Sequence, residues 1–113
     1  MFLIFNGKIY MRGVYNMNNI QQIKEIITPF FIEYGITKSA VFGSYARGEE
    51  TETSDVDLLF SIGKSMPLSK WNEMENQIQT AIGKRVDFIE YGTLPKRVEQ
   101  EVLKEAVVIY EQA

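Results

Sequence analysis

Two short polar clusters carry the residue types that phosphate and metal chemistry requires. Gly43-Ser44 follows an apolar run at residues 40–42, and Asp55 and Asp57 stand immediately before a second apolar run at residues 58–60. Both clusters are therefore predicted at strand ends, which is where α/β proteins place their binding sites. The spacing predicts that the two clusters contribute to one site.

The Asp-Val-Asp sequence predicts a pair of converging carboxylates. Side chains at positions i and i+2 of a strand leave the same face, so Asp55 and Asp57 point to one place while Val56 enters the core. Two carboxylates suit Mg²⁺ or Mn²⁺, since magnesium is usually held by one or two carboxylates together with substrate phosphates. The alternative is a loop end with both aspartates solvated.

The Gly-Ser turn predicts a phosphate site. Gly43 and Ser44 supply backbone N–H groups and a hydroxyl at the start of a short helix, and the planar guanidinium of Arg47 can approach the same anion. The alternative is a plain strand-to-helix turn with Ser44 as N-cap and Arg47 as a surface charge. A nucleophilic Ser44 is disfavoured, because the chain has no histidine to activate it and no lysine stands beside it.

Asp87 is the candidate for a third carboxylate. It lies in the segment Arg85-Val86-Asp87-Phe88-Ile89, where a charge interrupts a run that a buried strand would keep apolar. The alternatives are a surface position or an ion pair with Arg85, and Glu90 is the weaker substitute. With Asp87 included, the carboxylates and the Gly-Ser turn would bracket one triphosphate.

The elements that must position these residues alternate between helix and strand. Apolar spacing predicts a helix from residue 19 to before Gly35, which either kinks near Thr28 or restarts with Pro29 in its first turn. Further helices are predicted from residue 67 or 68 to Gly83 and from Pro95 onward. Strands are predicted at residues 38–42, 56–62, 84–91 and 106–110. The order indicates an α/β (α+β) domain, a single sheet flanked by helices.

The first 16 residues are interpreted as an N-terminal extension, and residues 17–113 as the domain proper. Asn6-Gly7 stands between two apolar runs, which predicts a β-hairpin that would add antiparallel edge strands to the sheet. The same segment could instead pair with another copy of the chain, so a homo-oligomer stays an open alternative.

Composition excludes several classes of chemistry. The 113 residues suffice for one domain, and the absence of cysteine and histidine removes thiol and imidazole catalysis, disulfides and the common zinc ligand sets. The net charge of −3 argues against nucleic acid as a partner. No stretch approaches the roughly 20 apolar residues that span a bilayer, so we expect a cytoplasmic protein without a membrane partner.

The extended motifs Phe-Gly-Ser-Tyr-Ala-Arg-Gly and Ser-Asp-Val-Asp-Leu-Leu resemble the signature of the DNA polymerase β-like nucleotidyltransferases, in particular their minimal bacterial and archaeal branch. The resemblance spans roughly residues 20–111. It implies a mixed β-sheet and transfer of a nucleoside monophosphate, AMP from ATP, to a hydroxyl acceptor. It also implies a role for each candidate residue: Gly43, Ser44 and Arg47 hold the triphosphate, Asp55, Asp57 and Asp87 bind two Mg²⁺ (or Mn²⁺) ions, and Asp87 helps to deprotonate the acceptor.

The resemblance further implies a partner. Family members of this size commonly pair with a helical HEPN-domain toxin, an RNase, and act as its antitoxin by attaching AMP to one of its tyrosines. Two alternatives stay open: a non-catalytic nucleotide-binding antitoxin or interaction module, and a transferase that acts on a small molecule or an RNA end.

Overall fold

A computed structural model describes residues 2–5, 8–11 and 20–112 of the chain. Within these ranges the elements follow in the order β1 (Phe2–Phe5), β2 (Lys8–Met11), α1 (Ile20–Tyr34), β3 (Ile36–Phe42), α2 (Ser44–Arg47), β4 (Val56–Ile62), α3 (Leu68–Ile82), β5 (Val86–Glu90), α4 (Lys96–Glu105) and β6 (Val107–Glu111).

The main sheet has four strands in the order β5-β4-β3-β6. Strand β3 runs antiparallel to both β4 and β6, whereas β4 and β5 are parallel. Parallel neighbours need a crossover connection, and α3 supplies it between β4 and β5. The predicted mixed sheet with flanking helices is confirmed.

The core lies where α1 and α3 pack together against the sheet. Because apolar residues recur every three or four positions in both helices, each helix presents one apolar stripe to the core. The largest fully buried side chains come from both helices and from the sheet, among them Ile23, Ile27, Phe31, Leu58, Met74 and Ile78. Trp71 of α3 adds an aromatic contact, with its ring centroid 4.8 Å from that of Phe60 and 5.3 Å from that of Phe88.

Helix α1 runs from Ile20 to Tyr34 as one element with Pro29 inside it, so the predicted restart at this residue is wrong, while the kink near Thr28 stays a prediction. Ile26, Ile27, Phe30 and Phe31, which flank the proline on both sides, are all buried. Burial of this continuous apolar stripe compensates for the loss of the one backbone hydrogen bond that proline cannot donate.

The N-terminal strands do not extend the main sheet, contrary to the expectation of added edge strands. β1 and β2 pair antiparallel with each other, with Phe2 opposite Met11 and Phe5 opposite Lys8, and form a separate two-stranded sheet. Each strand uses the other as its partner, and β5 and β6 remain the edges of the four-stranded sheet. Asn6-Gly7, where the turn was predicted, and residues 12–19, which contain the predicted domain boundary, lie outside the described residues.

Across the described ranges, the helices are too short or too polar to cross a bilayer.

Candidate active site

The strand register brings the two polar clusters and Asp87 to the same region of the sheet. Phe42, the residue before Gly43, lies opposite Asp57 across the β3–β4 ladder. Asp57 in turn lies beside Asp87 across the β4–β5 ladder. Since paired residues point to the same face of a sheet, the Asp57 and Asp87 side chains are neighbours, and Val56 is fully buried on the opposite face.

Gly43 touches the carboxylate of Asp57. Its backbone, with φ 73° and ψ −149°, lies in a region that only glycine adopts readily. A Cβ atom at this position would collide with Oδ2 of Asp57 and lie 3.2 Å from its Cγ. The predicted phosphate turn and the predicted metal-binding carboxylate are therefore in direct contact, and this contact requires glycine.

The turn continues into the single helical turn α2. The Arg47 backbone N–H donates to the Gly43 carbonyl at 3.1 Å, and the Glu49 N–H donates to the Ser44 carbonyl at 2.9 Å. Gly48, with φ 70° and ψ 24°, ends the helix in the left-handed conformation. Ser44 is thus the first residue of a helical turn directly after the glycine that touches Asp57.

Tyr45 anchors α2 in the core. Its side chain is buried, and its hydroxyl has no hydrogen-bond partner among the described residues. Burial raises the pKa of Tyr45 to about 12, and the nearby charges of Glu50 and Asp55 act in the same direction. The buried ring therefore anchors α2 to the core, and its hydroxyl stays protonated at neutral pH.

The acidic residues crowd around Asp57. Burial raises the pKa of Asp57 to about 6, with further contributions from the charge of Asp87, the charge of Asp55 and a hydrogen bond with Asp87, while Arg47 opposes the shift. Asp55 is exposed and stands just before β4. The fold thus holds carboxylates of like charge close together, and a bound cation would reduce the repulsion between them.

Asp87 also makes the ion pair that the sequence left as an alternative. Nε of Arg85 lies 3.8 Å from its Oδ1, but the two side chains are 74% and 46% exposed. An exposed pair at this distance contributes little free energy. It does not separate Asp87 from Asp57, so both features coexist.

The described residues contain no preformed cluster of three or more histidine, cysteine, aspartate or glutamate residues that could hold a metal ion. Two adjacent carboxylates are nevertheless the protein contribution that Mg²⁺ usually receives, with water and substrate phosphates completing its octahedral shell. The donor set therefore fits a divalent cation that binds together with a phosphate ligand.

Arg47 is held by two carboxylates that the sequence did not single out. Its Nε donates to Oε1 of Glu49 at 2.9 Å, and its Nη1 donates to Oε2 of Glu105 at 3.0 Å. Oε1 of Glu105 also accepts the backbone N–H of Gly43 at 3.1 Å. Glu105 belongs to no recognisable motif, and only the pairing of β3 with β6 reveals that it lies beside the Gly-Ser turn.

Comparison with known proteins gives a consistent result. The family model described as "Polymerase beta, Nucleotidyltransferase" matches residues 21–113. The protein adenylyltransferase MntA of Thermococcus cleftensis is 34% identical over 97 residues, a match that covers 82% of this chain and 98% of the relative.

Solved structures share the fold. A protein provisionally described as a minimal nucleotidyltransferase superposes with a TM-score of 0.69 and 28% identity, covering 84% of this chain and 97% of that one. A chain from the complex of a tri-AMPylated Shewanella oneidensis HEPN toxin with an MNT antitoxin superposes with a TM-score of 0.60 and 16% identity, covering 81% and 73%. The second likeness concerns the fold alone.

Proposed function

The chain belongs to the polymerase β nucleotidyltransferase family, and we propose that it transfers AMP from ATP, with Mg²⁺, to a tyrosine hydroxyl of a partner HEPN toxin. The match over residues 21–113 confirms the resemblance noted in the sequence, and with it the prediction of a nucleotidyltransferase. What we propose beyond the family is the identity of the nucleotide, of the cation and of the acceptor.

One observation carries the proposed site: Gly43 is in contact with the Asp57 carboxylate. A triphosphate seated on the Gly43-Ser44 turn lies beside Asp57 and its neighbour Asp87. A nucleotidyltransferase needs this proximity, because the reacting α-phosphate must reach the acidic residues while the β- and γ-phosphates are held.

Each residue has a defined task in this proposal. Gly43 and Ser44 hold the outer phosphates, Gly43 as the residue that forms the turn and Ser44 through its backbone N–H group and hydroxyl, and Arg47 contributes positive charge. Asp55, Asp57 and Asp87 hold the divalent cations. When bound, these ions stabilise negative charge on the attacking and leaving oxygens.

The reaction replaces a phosphoanhydride bond of ATP with a phosphate ester bond to the acceptor. The tyrosine oxygen forms a bond to the α-phosphorus, the bond from the α-phosphorus to the oxygen that bridges to the β-phosphate breaks, and pyrophosphate leaves. The hydroxyl proton passes to Asp87, whose side chain lies beside Asp57. The acceptor gains AMP, and the chain itself is unchanged.

The partner is a cytoplasmic HEPN-domain toxin, and AMP transfer silences it. Two observations on other proteins support this choice: the similar Thermococcus cleftensis protein is named a protein adenylyltransferase, and an MNT antitoxin forms a complex with an AMP-modified HEPN toxin. In this role the chain is an antitoxin that acts by covalent modification.

The proposal is tested with purified protein, Mg²⁺, ATP labelled at the α-phosphate, and a HEPN-domain protein of the same organism as the acceptor. We expect label on the partner with the wild-type chain, and at least a hundredfold lower rate with Asp57→Asn or Asp87→Asn. Glu90→Gln is the matched control, since Glu90 is an exposed carboxylate on the same strand as Asp87 and should retain full activity. Equal labelling by Asp57→Asn and wild type would refute catalysis.

The same variants distinguish the alternatives. If Asp57→Asn still neutralises the toxin although no label is transferred, the chain acts by occlusion as a non-catalytic antitoxin. If wild-type protein labels an RNA end or a small molecule but not the partner, the chemistry stands and the acceptor is different.

A further inference from the structure

From the contacts of Glu105 we infer that this residue, 62 positions further along the chain than Gly43, is a positioning residue of the nucleotide site that holds the Gly43-Ser44 turn and Arg47 in place. The inference rests on the proposed function, because it assumes that this turn binds the triphosphate. It adds a residue that lies outside both sequence motifs.

The first argument is the strand register. Val41 of β3 lies opposite Val107 of β6 in an antiparallel ladder, so the next paired position, two residues along, would set Gly43 opposite Glu105. Glu105 is the last residue of α4, where the backbone is helical and cannot continue the ladder. Its side-chain Oε1 takes the place of a backbone carbonyl and accepts the Gly43 N–H at 3.1 Å.

The second argument is that the buried Gly43 N–H group needs a hydrogen-bond acceptor. Gly43 is buried, and a buried backbone donor without a hydrogen-bond partner destabilises the fold. The Glu105 carboxylate satisfies this donor at a residue whose combination of φ 73° and ψ −149° only glycine adopts readily. The carboxylate therefore stabilises the turn in its unusual conformation.

The third argument is that one carboxylate holds two parts of the turn. Nη1 of Arg47 donates to Oε1 and Oε2 of Glu105 at 3.2 and 3.0 Å, and the Arg47 backbone N–H donates to the Gly43 carbonyl. Gly43, Arg47 and Glu105 are thus each in contact with the other two, and Ser44 belongs to the segment between Gly43 and Arg47 that these contacts close. The guanidinium takes part in these contacts through Nη1, whereas its Nε donates to Glu49 instead.

The other carboxylate on Arg47 provides a matched control. Glu49 accepts from Nε at 2.9 Å, carries the same charge and contacts the same guanidinium, but its side chain is 62% exposed, against 28% for Glu105. The hydrogen bond to the Gly43 N–H comes from Glu105. Removal of either residue deletes one negative charge beside Arg47. Only the removal of Glu105 also deletes the hydrogen bond that holds the Gly43 N–H.

The test measures two quantities in the full-length protein: the Kd for MgATP by calorimetry, and amide hydrogen exchange at Gly43 without nucleotide. We expect Glu105→Ala to weaken MgATP binding about tenfold and to accelerate exchange at Gly43 by a similar factor. Glu49→Ala should change both by less than threefold. Glu105→Gln retains an acceptor oxygen and should stay within threefold of wild type.

Binding of Mn²⁺ alone, followed by water-proton relaxation, separates positioning from general damage to the fold. It should be unchanged in Glu105→Ala, because the hydrogen bonds that join Glu105 to Gly43 and Arg47 do not involve the aspartates. Unchanged or tighter MgATP binding in Glu105→Ala would overturn the inference, and tighter binding would indicate that Glu105 merely occupies the anion site. Equal exchange at Gly43 in Glu105→Ala and Glu49→Ala would also overturn it.

Failure of the proposed function has a different signature. If the wild-type chain does not bind MgATP, the nucleotide site itself is refuted. Hydrogen exchange at Gly43 then still decides whether Glu105 holds the turn.

Discussion

Gly43 has a backbone conformation and a contact with Asp57 that exclude a side chain. A substitution by alanine measures how much stability depends on glycine at this position. In Gly43→Ala the new Cβ meets Oδ2 of Asp57, and the backbone keeps an angle that alanine tolerates poorly. We expect the free energy of unfolding, measured by urea denaturation, to fall by about 2–4 kcal/mol. Gly48→Ala is the control, because its φ is also positive but its Cβ meets open space, and it should cost only about 1 kcal/mol. Equal losses would show that the contact with Asp57 is unimportant.

Asp57 should make stability depend on pH in the metal-free protein. Its pKa of about 6 lies above the ordinary value of 3.8, so the folded state favours the protonated form. The resulting contribution to stability is complete below about pH 4 and is lost as the pH rises through about 6. Asp57→Asn removes this loss and should raise the unfolding free energy at pH 7.5 by about 1 kcal/mol, a figure reduced for solvent screening.

Urea denaturation at pH 4 and pH 7.5, with a chelator present, checks this prediction. The gain in Asp57→Asn should vanish at pH 4. A gain of equal size at both pH values would attribute the effect to packing rather than to charge.

Residue-scale prediction from the sequence succeeded where the rule is local. The alternation of side chains along a strand predicted that Val56 enters the core, and this residue is fully buried. Asp87, chosen because its charge interrupts an apolar run, lies beside Asp57 in the β4–β5 ladder. Glu105 could not be predicted in this way. Its contact with Gly43 spans 62 positions of sequence and depends on the β3–β6 register, which includes an irregularity between Ser39 and Ala40.

Helix α1 shows that tertiary packing can override a local signal. Pro29 lies inside the helix and removes one backbone hydrogen bond, yet the buried residues on both sides maintain the helix. Pro29→Ala should therefore raise the unfolding free energy, by about 1–2 kcal/mol, because alanine restores the N–H donor and relieves the steric clash in the helix interior.

Pro95→Ala is the matched control for this substitution. Pro95 occupies the N-cap position of α4, where an N–H group has no helical acceptor, so alanine should give no gain and should cost up to about 1 kcal/mol through the entropy of the unfolded chain. Thermal unfolding monitored by circular dichroism measures both variants. A loss of stability in Pro29→Ala would show that the proline ring contributes packing that alanine cannot replace.

Helices and strands could be predicted from the sequence where their bounds depend on residues that are close together in the chain. Strand β4 has the predicted bounds, Val56–Ile62, and α3 ends at Gly83 in the left-handed conformation expected of a C-terminal cap. The strand order β5-β4-β3-β6 was not predictable, since it depends on which apolar faces find each other across the whole chain. The same holds for β1 and β2, which pair with each other instead of joining the main sheet.

At the scale of the whole molecule, the division into an extension at residues 1–16 and a domain at residues 17–113 stays a prediction. Two observations support it: β1 and β2 form a sheet separate from the four-stranded sheet, and the family match begins at residue 21. All the residues assigned to the proposed site lie between Gly43 and Glu105. A chain that lacks residues 1–16 should therefore fold and bind nucleotide.

We expect the truncated chain to unfold within about 2 °C of the full-length protein, a shift equivalent to less than about 0.5 kcal/mol for a domain of this size, and to bind MgATP with unchanged Kd. Deletion of residues 107–113 is the contrasting control: it removes β6, the partner of β3, together with the buried Ile109, and should abolish cooperative unfolding. Fluorescence of Trp71, the single tryptophan, reports the transition, because its ring packs between α3 and strands β4 and β5. A fall of more than about 5 °C after removal of residues 1–16 would show that the extension belongs to the folded domain.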